Sequence, residues 1–222
     1  MSRRGATSLV GILPLDKPAG LTSHDVVARV RRSTGEGRVG HAGTLDPMAT
    51  GLLVVLIGAY ARLAPYLTSA SKCYEATIAF GAETDTDDAE GAVTRRAAVP
   101  AELLDPGHAR VVLSGFLGSS MQTPPAYSAI KVGGRTAHRE ARAGSAMELE
   151  PRPVEVLAAE LLATDADAAS WNVAFDVSKG TYIRALARDI GRACGSAAHL
   201  SALRRTTSGR LTLADSHTLE EM

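Results

Sequence analysis

Twelve residues constrain this chain more than any other stretch: Gly40-His41-Ala42-Gly43-Thr44-Leu45-Asp46-Pro47-Met48-Ala49-Thr50-Gly51. The three glycines admit backbone conformations that other residues resist, and Pro47 biases Asp46 away from helix towards extended backbone. Leu52-Leu53-Val54-Val55-Leu56-Ile57 follows, a short apolar run between glycines that reads as a buried strand. One carboxylate, Asp46, is therefore presented on a shaped loop against a water-poor strand, with His41 just upstream. Loops fixed to rigid elements are where chemistry tends to sit. The plain alternative is an Asp-Pro turn with a surface histidine.

At 222 residues the chain forms one large domain or two small ones. Its 45% apolar and 22% charged residues are an ordinary globular mixture. No apolar run approaches the about 20 residues that span a membrane. Too little apolar sequence follows Arg3 and Arg4 for a signal peptide. Cys73 and Cys194 are isolated, which implies neither a disulfide framework nor a zinc site, and a reducing cytoplasm is expected. The net charge is zero, but its distribution is uneven. Residues 1–40 carry seven basic against three acidic side chains, and residues 179–210 seven against one. Acids gather at Glu83–Glu90 and between Glu148 and Asp167. Of the 24 basic residues 20 are arginine, which suits bidentate phosphate contacts. The expectation is a basic face with the acids on the other side.

Val10–Leu15 reads as a strand, and Thr22 or Ser23 caps a helix through about Ser33 with Val26, Val27 and Val30 on one face. Gly35–Gly40 matches GxGxxG, but a helix precedes it where a strand is required, so no dinucleotide site is implied. Arg62–Leu67 reads as a short helix, and Cys73–Phe80 alternates as a strand with Tyr74 on its apolar face. The acidic Glu83–Gly91 stretch fails as a calcium loop, because Ala89 and Glu90 stand where a ligand and a glycine are needed. Pro100–Leu113 reads as helix, Gly133-Gly134 as a hairpin turn, and Val154–Thr164 and Trp171–Val177 as strands. From Ile183 to Cys194 the apolar residues recur at helical spacing, with Arg184, Arg188 and Arg192 on another face. The fold class expected is α+β, a mixed and mainly antiparallel sheet flanked by helices.

The glycine-rich twelve-residue stretch resembles the signature of the TruB family, the bacterial tRNA pseudouridine-55 synthases. Further motifs resemble that family in order: Leu15–Ser23, Lys72-Cys73-Tyr74-Glu75, Thr84–Gly91, Gln122–Lys131, Ser178–Arg184 and Leu203-Arg204-Arg205-Thr206. The likeness covers roughly residues 10–215. It implies a pseudouridine synthase fold in a single catalytic domain over 1–222, with an RNA-clamping arm inserted at about 125–150. The reaction implied is isomerisation of uridine 55, in the T-arm of tRNA, to pseudouridine.

By that resemblance Asp46 is the catalytic carboxylate, either as nucleophile or by promoting glycal formation. Arg184 is its guanidinium partner, and Tyr74 stacks on the target base and serves in proton transfer. His41 fills the space left by the flipped nucleotide. Lys17 and Tyr182 support the pocket, and Arg204 and Arg205 belong to the substrate-binding set. Arg135, Arg139 and Arg142 of the arm contact phosphates. No metal and no cofactor are expected, the partner is the tRNA T-arm stem-loop, no membrane is involved, and the protein is expected to be a cytoplasmic monomer. The chain departs from the family at Ala137-His138, at Gly209-Arg210-Leu211, and in stopping at Met222 without a PUA-like domain. A non-catalytic RNA-binding or tRNA-chaperone protein would be expected to lack one of Asp46, Tyr74 or Arg184, and all three are present. A glycosidase would need a second loop carboxylate. The bacterial-type motifs argue against a guide-dependent synthase.

Overall fold

The computed structural model describes residues 7–222; Arg3 and Arg4 lie outside the described residues. Along the chain come β1 (Gly11–Lys17), α1 (Ser23–Thr34), β2 (Val39–His41), β3 (Thr50–Ile57), α2 (Ala64–Thr68), β4 (Lys72–Phe80), β5 (Ala82–Thr84) and β6 (Val93–Arg96). Then follow α3 (Pro106–Ser114), β7 (Gly118–Gln122), β8 (Lys131–Val132), β9 (Arg135–Thr136) and α4 (Ala137–Arg142). The last elements are β10 (Arg152–Asp165), β11 (Ser170–Val177), α5 (Ile183–Ala193), β12 (Ala198–Ser208) and β13 (Leu211–Thr212). The chain divides into two compact units, one comprising the residues up to Glu75 with Leu203–Met222, the other Ala76–Ala202.

The first unit is built on β3, buried from Gly51 to Ile57. It pairs antiparallel with β1, Gly11 opposite Ile57 through Lys17 opposite Gly51. It also pairs antiparallel with β2, Val39 opposite Ile57, and parallel with β12, where Arg205 faces Gly51. Leu52, Val54 and Leu56 pack with Ala42 as a core, closed by Ala64, Leu67, Leu211 and Leu213. Each such leucine contributes about 1.5–3 kcal/mol on burial. α1 starts at a capping box, with Asp25 N–H donating to Thr22 Oγ1 (3.1 Å) and Thr22 N–H to the Asp25 carboxylate (2.9 Å). It ends at Gly35, whose φ of 68° is the left-handed cap of a helix exit. The GxGxxG match is that exit.

The second unit carries the order β4-β11-β10-β7, with β10 antiparallel to both β11 and β7. Alternation buries Ala76, Ile78 and Phe80 of β4 and Trp171, Val173, Phe175 and Val177 of β11. The Phe80 and Trp171 rings meet edge to face at 4.8 Å, and the indole N–H donates to Leu103 O at 2.6 Å. The helix expected over Pro100–Leu113 is broken in two. A 3-10 turn at Ala101–Leu104 ends at Asp105, which is extended before Pro106 and caps α3 by accepting from His108 N–H at 2.9 Å. Gly133 and Gly134, with φ of 57° and 80°, make the two-residue turn joining β8 to β9. The architecture is α+β, a mixed and mainly antiparallel sheet with flanking helices, as the sequence predicts.

β12 is the longest of the strands that sequence reading misses. Its burial alternates through Leu200, slips phase at Ala202-Leu203, and then buries an arginine, Arg205. An apolar-alternation test cannot see that pattern.

Gly51 has φ of 97°, and a Cβ there would run into the carbonyl oxygen of Arg205 across the parallel pair. Gly51→Ala should therefore lose about 2 kcal/mol or more of stability, from strain and overpacking together. Urea unfolding reads this as a lowered midpoint, and an unchanged midpoint would contradict the close approach.

Candidate active site

The loop between β2 and β3 spans Ala42–Ala49 and has few backbone bonds of its own. Ala42 N–H reaches Val54 O (2.9 Å), and Ala49 N–H closes a turn on Asp46 O (3.1 Å). Buried polar backbone must be satisfied, and here side chains do it. Ser23 Oγ accepts from Leu45 N–H (2.8 Å) and donates to Leu45 O (3.0 Å). The Lys17 ammonium donates to Pro18 O (2.9 Å), Leu21 O (2.7 Å) and Pro47 O (3.3 Å). Gly20 N–H adds a bond to Pro47 O at 2.8 Å. Arg205 donates from Nε to Leu52 O (2.7 Å), from Nη2 to Gly43 O (3.1 Å) and from Nη1 to Thr44 O (3.4 Å). Lys17 is 0% exposed and Arg205 1%. Half-buried Asp46 thus sits between two anchored neighbours, Leu45 and Pro47.

Tyr74 lies in the same unit, buried on β4, its ring centroid 6.0 Å from the Arg205 guanidinium carbon. Lys72, two residues before it, donates to Thr68 O (3.0 Å) and Ala70 O (2.6 Å). Burial, with the nearby Arg205 charge, brings its ammonium down to about 8. His41 ends β2, edge-on to His24 at 5.7 Å, and its buried Nδ1 has no hydrogen-bond partner among the described residues. Burial first, then the charges of His24 and Arg205, holds its imidazole below the ordinary histidine range.

Sequence reasoning puts Arg204 and Arg205 together in the substrate-binding set, and the structure separates them. Arg204 is partly exposed and holds Asp16 at two points (2.7 and 3.1 Å). Arg205 is inside, with its nitrogens occupied by loop carbonyls.

In the second unit Tyr182 precedes α5. The Gln122 side-chain amide grips its peptide at both ends, accepting from Tyr182 N–H (2.9 Å) and donating to Tyr182 O (3.2 Å). Arg184, 4% exposed, donates to Thr86 O (2.7 Å) and Tyr127 O (3.0 Å), with Asp88 at 3.6 Å.

The expected segregation of acids from arginines is overturned. Arg188 pairs with Asp87 (2.7 Å) and Asp189 (2.9 Å), and Arg192 with Glu83 (2.8 Å), which Arg95 also holds (2.6 Å). The α5 arginines and the acidic hairpin between β5 and β6 neutralise one another. Hydrogen bonds from Arg192 and Arg95 hold the Glu83 carboxyl down at about 2. Of the basic residues between 125 and 150, Arg135 is paired with Glu140 at 3.2 Å.

Three residues to which the sequence reading assigns no site role, Ser23, Lys72 and Gln122, hold backbone within their own units. Thr22 takes the helix cap, which leaves Ser23 to hold Leu45. Lys72 and Gln122 offer no local signal, because their partners are backbone groups brought in by tertiary folding.

Because burial disfavours its charged form, His41 should bind a proton later, on acidification, than a solvated histidine. Its Cε1–H resonance should titrate with a midpoint below 6.5. A midpoint at or above that value would show that the ring is hydrated. The sign carries to stability: the unfolded chain binds the proton first, so this residue destabilises the fold as pH drops through 6.5.

The family model described as "TruB family pseudouridylate synthase (N terminal domain)" matches residues 31–183. That for the "tRNA pseudouridylate synthase B C-terminal domain" matches residues 184–222. A tRNA pseudouridine synthase B from Opitutus terrae is 47% identical, over 96% of this chain and 86% of that protein. One from Mycobacterium tuberculosis is 48% identical, over 96% of this chain and 71% of that protein. Among solved structures, a chain of a Cbf5-Nop10-Gar1 complex is 31% identical with a TM-score of 0.72, over 95% of this chain and 52% of that one. A chain of an archaeal box H/ACA sRNP Nop10-Cbf5 complex is 28% identical with a TM-score of 0.68, over 95% and 51%. This chain therefore spans about half the length of those two solved chains. With both family models together matching from residue 31 to its end, and nearly half its residues shared with curated members, the chain belongs to the TruB family of pseudouridylate synthases.

Proposed function

We propose that this protein isomerises uridine 55, in the T-arm of tRNA, to pseudouridine, with Asp46 as the catalytic carboxylate. The observation that carries the reading is the anchored loop. A carboxylate must be aimed at the sugar-base junction, and Asp46 is flanked on both sides by residues whose backbone is tied to buried side chains. The relatives named tRNA pseudouridine synthase B supply the substrate class.

The chemistry is an exchange of bonds at one sugar carbon. The bond from C1′ to N1 breaks, the base turns, and C1′ bonds to C5. The C5 proton leaves and N1 gains one, so the product is an isomer of the substrate. Asp46 either attacks as nucleophile or promotes glycal formation. Tyr74 stacks on the base and takes part in proton transfer at C5. Arg184, Lys17, His41 and Tyr182 complete the set that the family resemblance assigns. The arm at about 125–150, with Arg139 and Arg142, contacts the RNA stem-loop. The ion pairing of the α5 arginines leaves few free cations there to neutralise phosphate, so RNA contacts fall to the arm and to residues such as Lys179 and Arg210.

Substitutions at two positions test this with tRNA transcripts labelled with tritium at uridine C5. Asp46→Asn should fold normally and release no tritium, whereas the unaltered protein releases it and places pseudouridine at position 55. Release by the variant at the unaltered rate would remove Asp46 from the chemistry, and product mapped elsewhere in the tRNA would sink the assigned position.

Tyr74→Phe should keep stacking and tRNA affinity but fail to release tritium, while Tyr74→Leu should weaken both. Equal rates for Phe and Tyr would reduce the residue to packing.

A further inference from the structure

Arg205 is an expensive residue in its position. It is 1% exposed, and among the described residues no carboxylate lies within ion-pair distance of it. A buried charge without an ionic partner is destabilising unless its donors are met. Its three nitrogens are met by carbonyl oxygens alone: Leu52 O, Gly43 O and Thr44 O.

Those oxygens come from the two ends of one loop. Leu52 lies in β3 just after the loop, and Gly43 and Thr44 lie in its first half, three and two positions before Asp46. The backbone of Arg205 closes on Gly51 as well. Gly43 is held at φ of 103°, and a Cβ there would lie 3.5 Å from Arg205 Nη1 and 3.4 Å from Lys72 Cε. Its carbonyl can turn to the guanidinium because no side chain is present. The carbon of the same guanidinium lies over the Tyr74 ring, 6.0 Å from its centroid. One rigid, planar group therefore hydrogen-bonds the loop that carries Asp46 and lies over the ring of Tyr74.

Resting on the reading that Asp46 and Tyr74 do the chemistry, we propose that Arg205 is a positioning residue: its buried guanidinium fixes the Asp46 loop relative to the Tyr74 ring, and it makes no contact with RNA. The neighbouring Lys72 reports the charge, since its ammonium is depressed partly by Arg205. A lysine in place of Arg205 keeps the charge but has neither the three-point fork nor the flat face.

The test uses Arg205→Lys and Arg205→Gln, with single-turnover tritium release at saturating tRNA and filter binding for affinity. Misplacement of about 1 Å in a catalytic group is worth about 10²-fold in rate. The saturated rate should fall by about 10- to 100-fold in both variants while the dissociation constant for tRNA moves by less than about threefold. A dissociation constant raised tenfold or more with an unaltered saturated rate would overturn the proposal in favour of a phosphate contact. An unaltered rate per folded molecule, with only the melting temperature lowered, would reduce Arg205 to general packing. A second measurement needs no variant. Phenylglyoxal labelling of the unaltered protein, mapped by peptide mass, should leave Arg205 unmodified with and without tRNA. Labelling in the free protein that tRNA blocks would overturn the proposal even where both variants fail to fold. If the unaltered protein releases no tritium at all, the proposed function fails, and the labelling result still decides whether Arg205 is sealed from RNA.

Discussion

The backbone carbonyls of residues 43–47 are the constraint on which the rest of the first unit depends. A loop that leaves the hydrogen-bonding ladder inside a protein strands polar groups, and each one left unmet is destabilising by about 1–3 kcal/mol. Here two interior cations and one hydroxyl meet them. Lys17 comes from the end of β1, Ser23 from the start of α1, and Arg205 from β12. Two consecutive elements and a third from near the other end of the chain must therefore be in place before the loop has a shape. The half-buried carboxylate at its centre is held by the surrounding fold more than by its own local sequence.

What could be read beforehand follows the range of the interactions. α1 was legible because its determinants are local: Thr22 and Asp25 cap it, and three valines define its buried face. β4 was legible because a half-buried strand writes its alternation directly, and the diglycine turn because two positive φ values in succession require that residue pair. Asp46 and Tyr74 were legible as candidates only through motifs. The break before Pro106 and the strand containing Arg205 were not. In the first a proline overrides an otherwise helical run. In the second a buried arginine looks like a surface residue until the carbonyls that receive it are known.

The second unit teaches the same lesson with charge. Spacing correctly puts Arg184, Arg188 and Arg192 on one side of α5, and nothing in that spacing says what they face. They face the acidic hairpin, through Asp88, Asp87 and Glu83 in turn. Two runs of opposite sign, a hundred residues apart and each resembling a solvated stripe, meet as one ion-pair row. Net neutrality of this chain is therefore partly a local fact and not just an average over two faces.

The chain that leads out of β7 is tied to α5 and the residue before it at three successive places. Gln122 clamps the Tyr182 peptide, the Thr123 carbonyl accepts from Arg188 at 2.9 Å, and the Tyr127 carbonyl accepts from Arg184. Between them stand Pro124 and Pro125, which stiffen the run. The segment therefore has a root and a free span, and the root ends at Tyr127. Lengthening or shortening the chain beyond that point leaves every α5 partner in register. A single-residue insertion before it breaks the spacing of these ties, so this chain should accept a change of length only beyond Tyr127.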